Sequence, residues 1–346
     1  MALPIWLYII ASVIKSAVVL FVLLTAVAYT VWLERKVVGH MQNRWGPTRV
    51  GPFGLLQPAA DGIKFLFKED LTPPHVNKPL FLAAPLIAVI FALTSISVIP
   101  FGNAVTIGKY SIPLQITDVN TGLLLILGVT SIGVYGVALA GWSSNNKYSL
   151  LGGLRASAQM VSYEISLGLS LVGVLIMSGS FSLRDIVNSQ AGHFLGFIPR
   201  WNIFLQPVGF FCYLMAAYAE TNRIPFDLPE AETELVAGYH TEYSAMKFAM
   251  FFMAEYANMI TVACLATLLF FGGWRGPVFG EAGGILQTIL PVFWFAAKIF
   301  AFLFLYIWVR GTLPRFRYDQ LMAFGWKFLL PLSLMNLIAT AIAVAW

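Results

Sequence analysis

The chemistry of this sequence is concentrated in one stretch, Glu220-Thr221-Asn222-Arg223-Ile224-Pro225-Phe226-Asp227-Leu228-Pro229-Glu230-Ala231-Glu232-Thr233-Glu234, followed by Glu242. Six carboxylates face Arg223 before Lys247 is reached. Carboxylates two residues apart repel, so some are expected to hold protons above the usual range and to titrate as a coupled set. An acidic run is most often a solvated loop. Here Pro225, Phe226, Pro229, Leu235 and Val236 argue for packing against something, and a network that collects or stores protons fits the pattern.

Four further charges fall inside long apolar runs: Lys15, Glu164, Glu255 and Lys298. A charge at mid-bilayer costs at least ~2.5–3.5 kcal/mol, and such groups face a bundle interior, water or a partner. Lys15 lies near a helix start, where its stem lets the amine snorkel outward. Glu164 and Glu255 lie toward one end of their runs. Lys298 sits mid-run, so its amine is expected to pair with a carboxylate or to titrate near neutrality. For these three, a structural buried pair competes with a place in a proton relay.

The elements that position these groups are membrane helices. Of 346 residues, 59% are hydrophobic and 11% charged, against about 25% charged in an ordinary soluble domain. That excludes a soluble enzyme, a disordered chain and a nucleic-acid binder. Apolar runs long enough for ~30 Å of hydrocarbon occur near 5–33, 80–101, 119–141, 157–178, 203–219, 247–272, 285–309 and 328–346, the fifth short. The expectation is an all-α polytopic membrane protein with about eight transmembrane helices in a single membrane domain, 1–346. The first run lacks a basic leader and a cleavage site, so it is expected to remain as an anchor.

Basic residues set the orientation. The odd loops carry Arg35, Lys36, Arg44, Arg49, Lys64, Lys68, Lys78, Lys147, Arg155, Arg223, Lys247, Arg310, Arg315, Arg317 and Lys327. The even loops carry only Lys109, Arg184, Arg200 and Arg275, and read as plain connectors. The odd loops, including 34–79 and the acidic loop 220–246, therefore belong on the cytoplasmic side with both termini opposite. This asymmetry also accounts for the net charge of +5 without an anionic ligand.

The first loop, 34–79, is rich in glycine and proline, and Gly46-Pro47-Thr48-Arg49-Val50-Gly51-Pro52 cannot be regular helix. After it, Leu55, Ala59, Ile63 and Phe67 recur every four residues, with Gln57, Asp61, Lys64 and Lys68 on the other face. That is an amphipathic helix suited to lying in the plane of the interface. It either anchors the loop or forms one wall of a slot for a lipid-soluble substrate.

No phosphate-binding GxxxxGK[ST], CxxC, haem-type histidine pair or Rossmann unit is present. Cys212 and Cys264 lie in separate runs, and four histidines offer no metal cluster. The chain itself thus supplies no redox centre or catalytic nucleophile, and electrons for any redox chemistry must come from elsewhere. An independent proton or cation transporter is a rival reading, weakened by the lack of an internal repeat.

Several motifs together resemble a known family. They are Glu34-Arg35-Lys36-Val37-Val38-Gly39, Gln42-Asn43-Arg44-Trp45-Gly46-Pro47, Gln57-Pro58-Ala59-Ala60-Asp61-Gly62, Gly152-Gly153-Leu154-Arg155, Ser162-Tyr163-Glu164, the acidic loop, Ala254-Glu255-Tyr256-Ala257-Asn258-Met259 and Pro314-Arg315-Phe316-Arg317-Tyr318-Asp319-Gln320. They resemble the quinone-site membrane component of respiratory complex I, the NADH-quinone oxidoreductase. The resemblance implies a tilted eight-helix bundle that, with two hydrophilic quinone-site subunits, encloses a quinone chamber open to the bilayer. By motif match, Arg35, Asp61 and Phe252 line or approach the quinone route. Glu34, Glu164, Glu220, Glu230, Glu232 and Glu255 form an acidic path toward antiporter-like subunits, with Arg155, Arg223 and Arg310 as basic partners. The resemblance further implies that FMN and iron–sulfur clusters reside in partner subunits, that membrane lipid surrounds the chain in a bacterial inner membrane, and that no metal or nucleic acid is bound. The related anchor component of membrane-bound hydrogenases remains an alternative.

Overall fold

The computed structural model describes residues 5–107, 110–194, 198–227, 237–276 and 285–346. In chain order the helices are α1 (Ile5–Met41), α2 (Gln57–Phe67), α3 (Lys78–Ser95), α4 (Gly122–Ser143), α5 (Lys147–Ser178), α6 (Leu183–Ser189), α7 (Asn202–Leu205), α8 (Pro207–Glu220), α9 (Ala245–Phe270), α10 (Ile285–Thr312), α11 (Tyr318–Phe324) and α12 (Leu330–Ala345). A π-helical turn, Gly325–Leu329, joins the last two into one continuous rod. Seven of the described helices are long and apolar enough to cross a bilayer. The chain is a polytopic all-α membrane protein.

The fifth expected span is α8, whose 14 residues reach only about 21 Å at ~1.5 Å per residue. Pro207 opens it, which suits a proline whose missing N–H is not needed in the first turn. The first helix runs on past residue 33 to Met41, so Glu34 and Arg35 are helical and not part of the loop that follows.

The even loops are more structured than plain connectors. Val105–Ile107 pairs with Tyr110–Ile112, and His193–Phe194 with Ile198–Pro199, as two antiparallel hairpins, and α6 precedes the second. The β-branched residues Val105, Thr106, Ile107 and Ile112 favour extended backbone, and pairing satisfies main-chain groups that a bare connector would leave open.

Helix packing uses small residues, as expected where lipid offers no hydrophobic drive for association. A Cβ on Gly141 of α4 would lie 3.0 Å from the Gly153 Cα of α5. One on Gly152 would lie 2.6 Å from the Gly238 Cα, so the turn leaving the acidic loop sits directly on α5. The core is aromatic, with Tyr163, Tyr213, Phe81, Phe226, Phe270 and Phe295 fully buried. By contrast α1 exposes Ile9, Ile10, Val13, Ile14, Phe21 and Val22, an apolar face available to lipid or a neighbouring chain.

Candidate functional site

Side chains from α9, α10 and the turn after α8 converge on Glu34 of α1. It lies near the end of α1 and is 6% exposed. Arg310, near the end of α10, forms an ion pair with its Oε1. Arg223, just beyond α8, approaches its Oε2 at 3.4 Å and places its Nε 2.6 Å from Glu255 Oε1 on α9. Tyr256 donates its hydroxyl to Glu34 Oε2 at 2.8 Å, and the Arg223 guanidinium lies 4.1 Å from the Tyr256 ring centre. Two carboxylates thus meet two guanidiniums and a phenol. A planar guanidinium suits this setting, because it can bridge two acids and stack on a ring at once.

The segment bearing Arg223 is held by α5. The Gln159 amide donates to the Ala219 carbonyl at 2.8 Å, the Asn222 side chain at 3.1 Å and the Phe226 carbonyl at 2.8 Å. Phe226 stacks on Phe316, and Asp227 receives Arg315 at 3.2 Å. The start of the acidic loop is therefore clamped between α5 and the α10–α11 connection. This agrees with the packing expected from Pro225 and Phe226.

A second carboxylate group lies among α4, α5 and α8. Glu164 on α5 accepts a hydrogen bond from Ser131 of α4, and Glu220 at the end of α8 is within electrostatic range of Glu164. The structure thus joins Glu34, Glu255, Arg223 and Arg310 in one cluster and brings Glu164 near Glu220. Arg155 holds its guanidinium 5.5 Å from the Tyr318 ring centre. Glu230 and Glu232 lie outside the described residues.

The residue after Glu34 faces a different partner. Arg35 binds Asp61 of α2 at 2.7 Å, and Gln57 donates to the same carboxylate at 3.1 Å. Burial alone would raise the Asp61 carboxyl, but the Gln57 hydrogen bond and the Arg35 and Lys64 charges outweigh it and hold it below the usual carboxylate value. Beside this pair a groove of about 320 Å³ opens between α1 and α2, lined by Phe21, Leu24, Tyr29, Leu55, Pro58 and Ala59 among others. No residue of α2 is buried, and Ile63, Leu66 and Phe67 are exposed. Phe252 of α9 stacks on His240, with ring centres 5.7 Å apart, and packs on Phe248 at 4.6 Å. Phe251 and Tyr239 close the same pocket, and burial depresses the His240 imidazole to about 3, keeping it neutral.

Both lysines within apolar runs are held by main-chain carbonyls. Among the described residues Lys298 has no carboxylate partner. Its amine donates to the Phe271, Gly273 and Arg275 carbonyls at 2.6, 2.9 and 2.5 Å and lies 4.5 Å from the Trp201 ring centre. It caps the end of α9, where unsatisfied carbonyls and the negative end of the helix dipole attract a cation. Lys15, near the start of α1, donates to the Gln115 carbonyl of the loop after α3 at 2.9 Å. Sequence reasoning assigned no role to Tyr256, Ser131 or His240. Tyr256 alone carried a signal, as the neighbour of Glu255.

The family model described as NADH dehydrogenase matches residues 14–341. The chain belongs to this family. Similar proteins include an H-type subunit of the NADH-quinone oxidoreductase of Koribacter versatilis, 72% identical with 98% of each chain covered. The corresponding NADH-quinone oxidoreductase chain of Solibacter usitatus is 52% identical, again with 98% of each chain covered. That of Geobacter metallireducens is 52% identical over 98% of this chain and 96% of its own. As a family member, the chain is a multi-pass membrane subunit of an oxidoreductase complex and works alongside the other subunits of that complex. The motif resemblance of the first loop, the acidic loop and the α9 stretch is thereby accounted for over nearly the whole chain.

Proposed function

We propose that this chain helps to form the quinone chamber of NADH-quinone oxidoreductase and couples quinone reduction to proton translocation. The observation that carries the reading is the split between adjacent residues of α1. Glu34 turns into the buried ion cluster, while Arg35 turns to Asp61 of α2, the helix whose Pro58 and Ala59 line the α1–α2 groove. A lipid-soluble head group that moved past the end of that groove to the Arg35–Asp61 pair would lie within one residue of the cluster. The apolar lining from Phe21 to Ala59 suits an isoprenoid tail, and the exposed apolar face of α2 suits the plane of the interface.

Reduction of a quinone to quinol takes two electrons and two protons. The electrons would come from iron–sulfur clusters and FMN in partner subunits, and the chemistry of the head group would lie against hydrophilic quinone-site subunits. What this chain's residues contribute is electrostatic. Negative charge arising at the quinone favours protonated over ionised carboxyls nearby. Arg223 and Arg310 each bind Glu34, so a change of protonation there is felt by Glu255 through Arg223. Glu220 and Glu164 form the next pair on the way to antiporter-like subunits. Such interacting acids titrate as a set, which lets one charge change pass along the row. Arg155, Glu230 and Glu232 belong to the same proposed path. Phe252 and Asp61 belong to the quinone route.

The basic odd loops support a bacterial inner-membrane setting with those loops cytoplasmic and both termini periplasmic. The test uses the assembled complex in liposomes. Glu220→Gln should lower both NADH:quinone turnover and proton pumping, and Ala59→Trp should raise the KM for long-tailed quinones before it affects assembly. Normal values for both variants in a fully assembled complex would refute the proposal.

A further inference from the structure

Two phenols that the carboxylate path leaves unused stand beside both acid groups. Tyr218 on α8 and Tyr306 on α10 are stacked, with ring centres 3.9 Å apart and planes 18° from parallel. They are 4% and 3% exposed. Tyr306 lies one helical turn before Arg310, on the same side of α10. Tyr218 lies two residues before Glu220, and its carbonyl accepts the Arg223 backbone N–H at 3.4 Å. The charges of Glu220 and Arg223 both reach the Tyr306 phenol. Each ring is thus tied by the chain to one acid group and by stacking to the other.

Among the described residues neither the Tyr218 nor the Tyr306 hydroxyl has a hydrogen-bond partner. Within reach of the Tyr306 hydroxyl is that of Thr221, which already donates to the Ala217 and Tyr218 carbonyls at 3.0 and 3.3 Å. Buried hydroxyls in native proteins are rarely left unsatisfied, and a polar pocket too small for a side chain is filled by ordered water with two to four partners. We propose that the Tyr218 and Tyr306 hydroxyls hold a bound water that connects Glu220 with the Arg223–Glu34–Glu255 cluster. This inference rests on the carboxylate path proposed above and deepens it. The tyrosines act as positioning residues. One carboxyl releases a proton to the water, a proton leaves the water toward the other carboxylate, and the phenols end unchanged. No electron moves in this step.

The test compares Tyr218→Phe, Tyr306→Phe and the double variant in the assembled complex in liposomes. Phenylalanine retains the stack and removes only the hydroxyls. Proton-coupled turnover in the double variant should fall on the order of tenfold, a decade below the roughly hundredfold low end of what a positioned proton-transfer group contributes, because the phenols only position the water. The solvent deuterium isotope effect on turnover should rise, and the infrared carboxyl bands that change on quinone reduction should shift. A packing role would leave the isotope effect and those bands unmoved. Glu220→Gln is measured in parallel. If it loses turnover while the tyrosine variants match wild type in rate, isotope effect and spectrum, the water link is wrong and the carboxylate path stands. If Glu220→Gln and the tyrosine variants are all indistinguishable from wild type, both fail. Should the double variant not assemble, each single variant carries the same comparison.

Discussion

Replacing Lys298 by methionine separates a structural cation from a proton relay. The side chain keeps its approximate length and loses three hydrogen bonds, to the Phe271, Gly273 and Arg275 carbonyls, together with the amine's contact to the Trp201 ring. Polar contacts inside membranes average ~0.6 kcal/mol, which makes the three bonds worth about 2 kcal/mol together. Hydrogen bonds to a charged group in proteins run ~1.5–3 kcal/mol each, and the lower figure gives about 5 kcal/mol. The distances, all within 2.9 Å, favour the upper part of that range. At ~1.4 kcal/mol per decade, Lys298→Met should raise the unfolding equilibrium constant of this region by about thirty- to three-thousandfold. Hydrogen–deuterium exchange of the assembled complex reads this directly at the amides of residues 268–276. Faster exchange there, with the ratio of protons pumped per electron unchanged in the complex that remains, is the expected pair of results. Unchanged exchange with a lowered proton ratio would refute the capping argument and return the amine to the relay.

Gly152→Ala drives a Cβ to 2.6 Å from the Gly238 backbone, so the turn 238–240 must move off α5. The expected result is a loss of turnover in an assembled complex, with altered crosslinking between cysteines placed at 152-adjacent and 238-adjacent positions; normal turnover would mean that the turn shifts freely. Gly62→Ala should do the reverse, since a Cβ there meets nothing within 4 Å and alanine favours helix over glycine by ~0.8–1.0 kcal/mol. Slower proteolysis within α2 and unchanged quinone KM are expected. His240, depressed to about 3 by burial, binds a proton in the unfolded chain below its ordinary value near 6.5 but not in the folded one. Its contribution to stability is therefore complete above pH ~6.5 and declines as pH falls from there toward about 3, by at most ~1.4 kcal/mol per unit. The thermal midpoint of the complex between pH 7 and 5 should fall less steeply in His240→Phe than in wild type, and parallel slopes would contradict a neutral buried imidazole.

Hydropathy is a local property, and the sequence alone determined what depends on it. The long apolar runs, the basic odd loops and the four-residue stripe of α2 were legible because each rests on composition or spacing within one segment. The acidic stretch after α8 was legible as a packed loop because Pro225 and Phe226 are poor residues for open solvent. The family motifs were legible as strings. What only the tertiary structure decided is which charges meet. Whether Arg223 serves Glu34, Glu255 or both depends on how α1, α8, α9 and α10 are rotated and tilted against each other, and no window of sequence holds that information. The same is true of Lys298: its sequence neighbours are apolar, and its partners are main-chain carbonyls more than twenty residues away, which carry no side-chain signature. Backbone oxygens exist at every position, so only the end of α9, where carbonyls lack helical partners, brought beside α10 by packing, could single those three out.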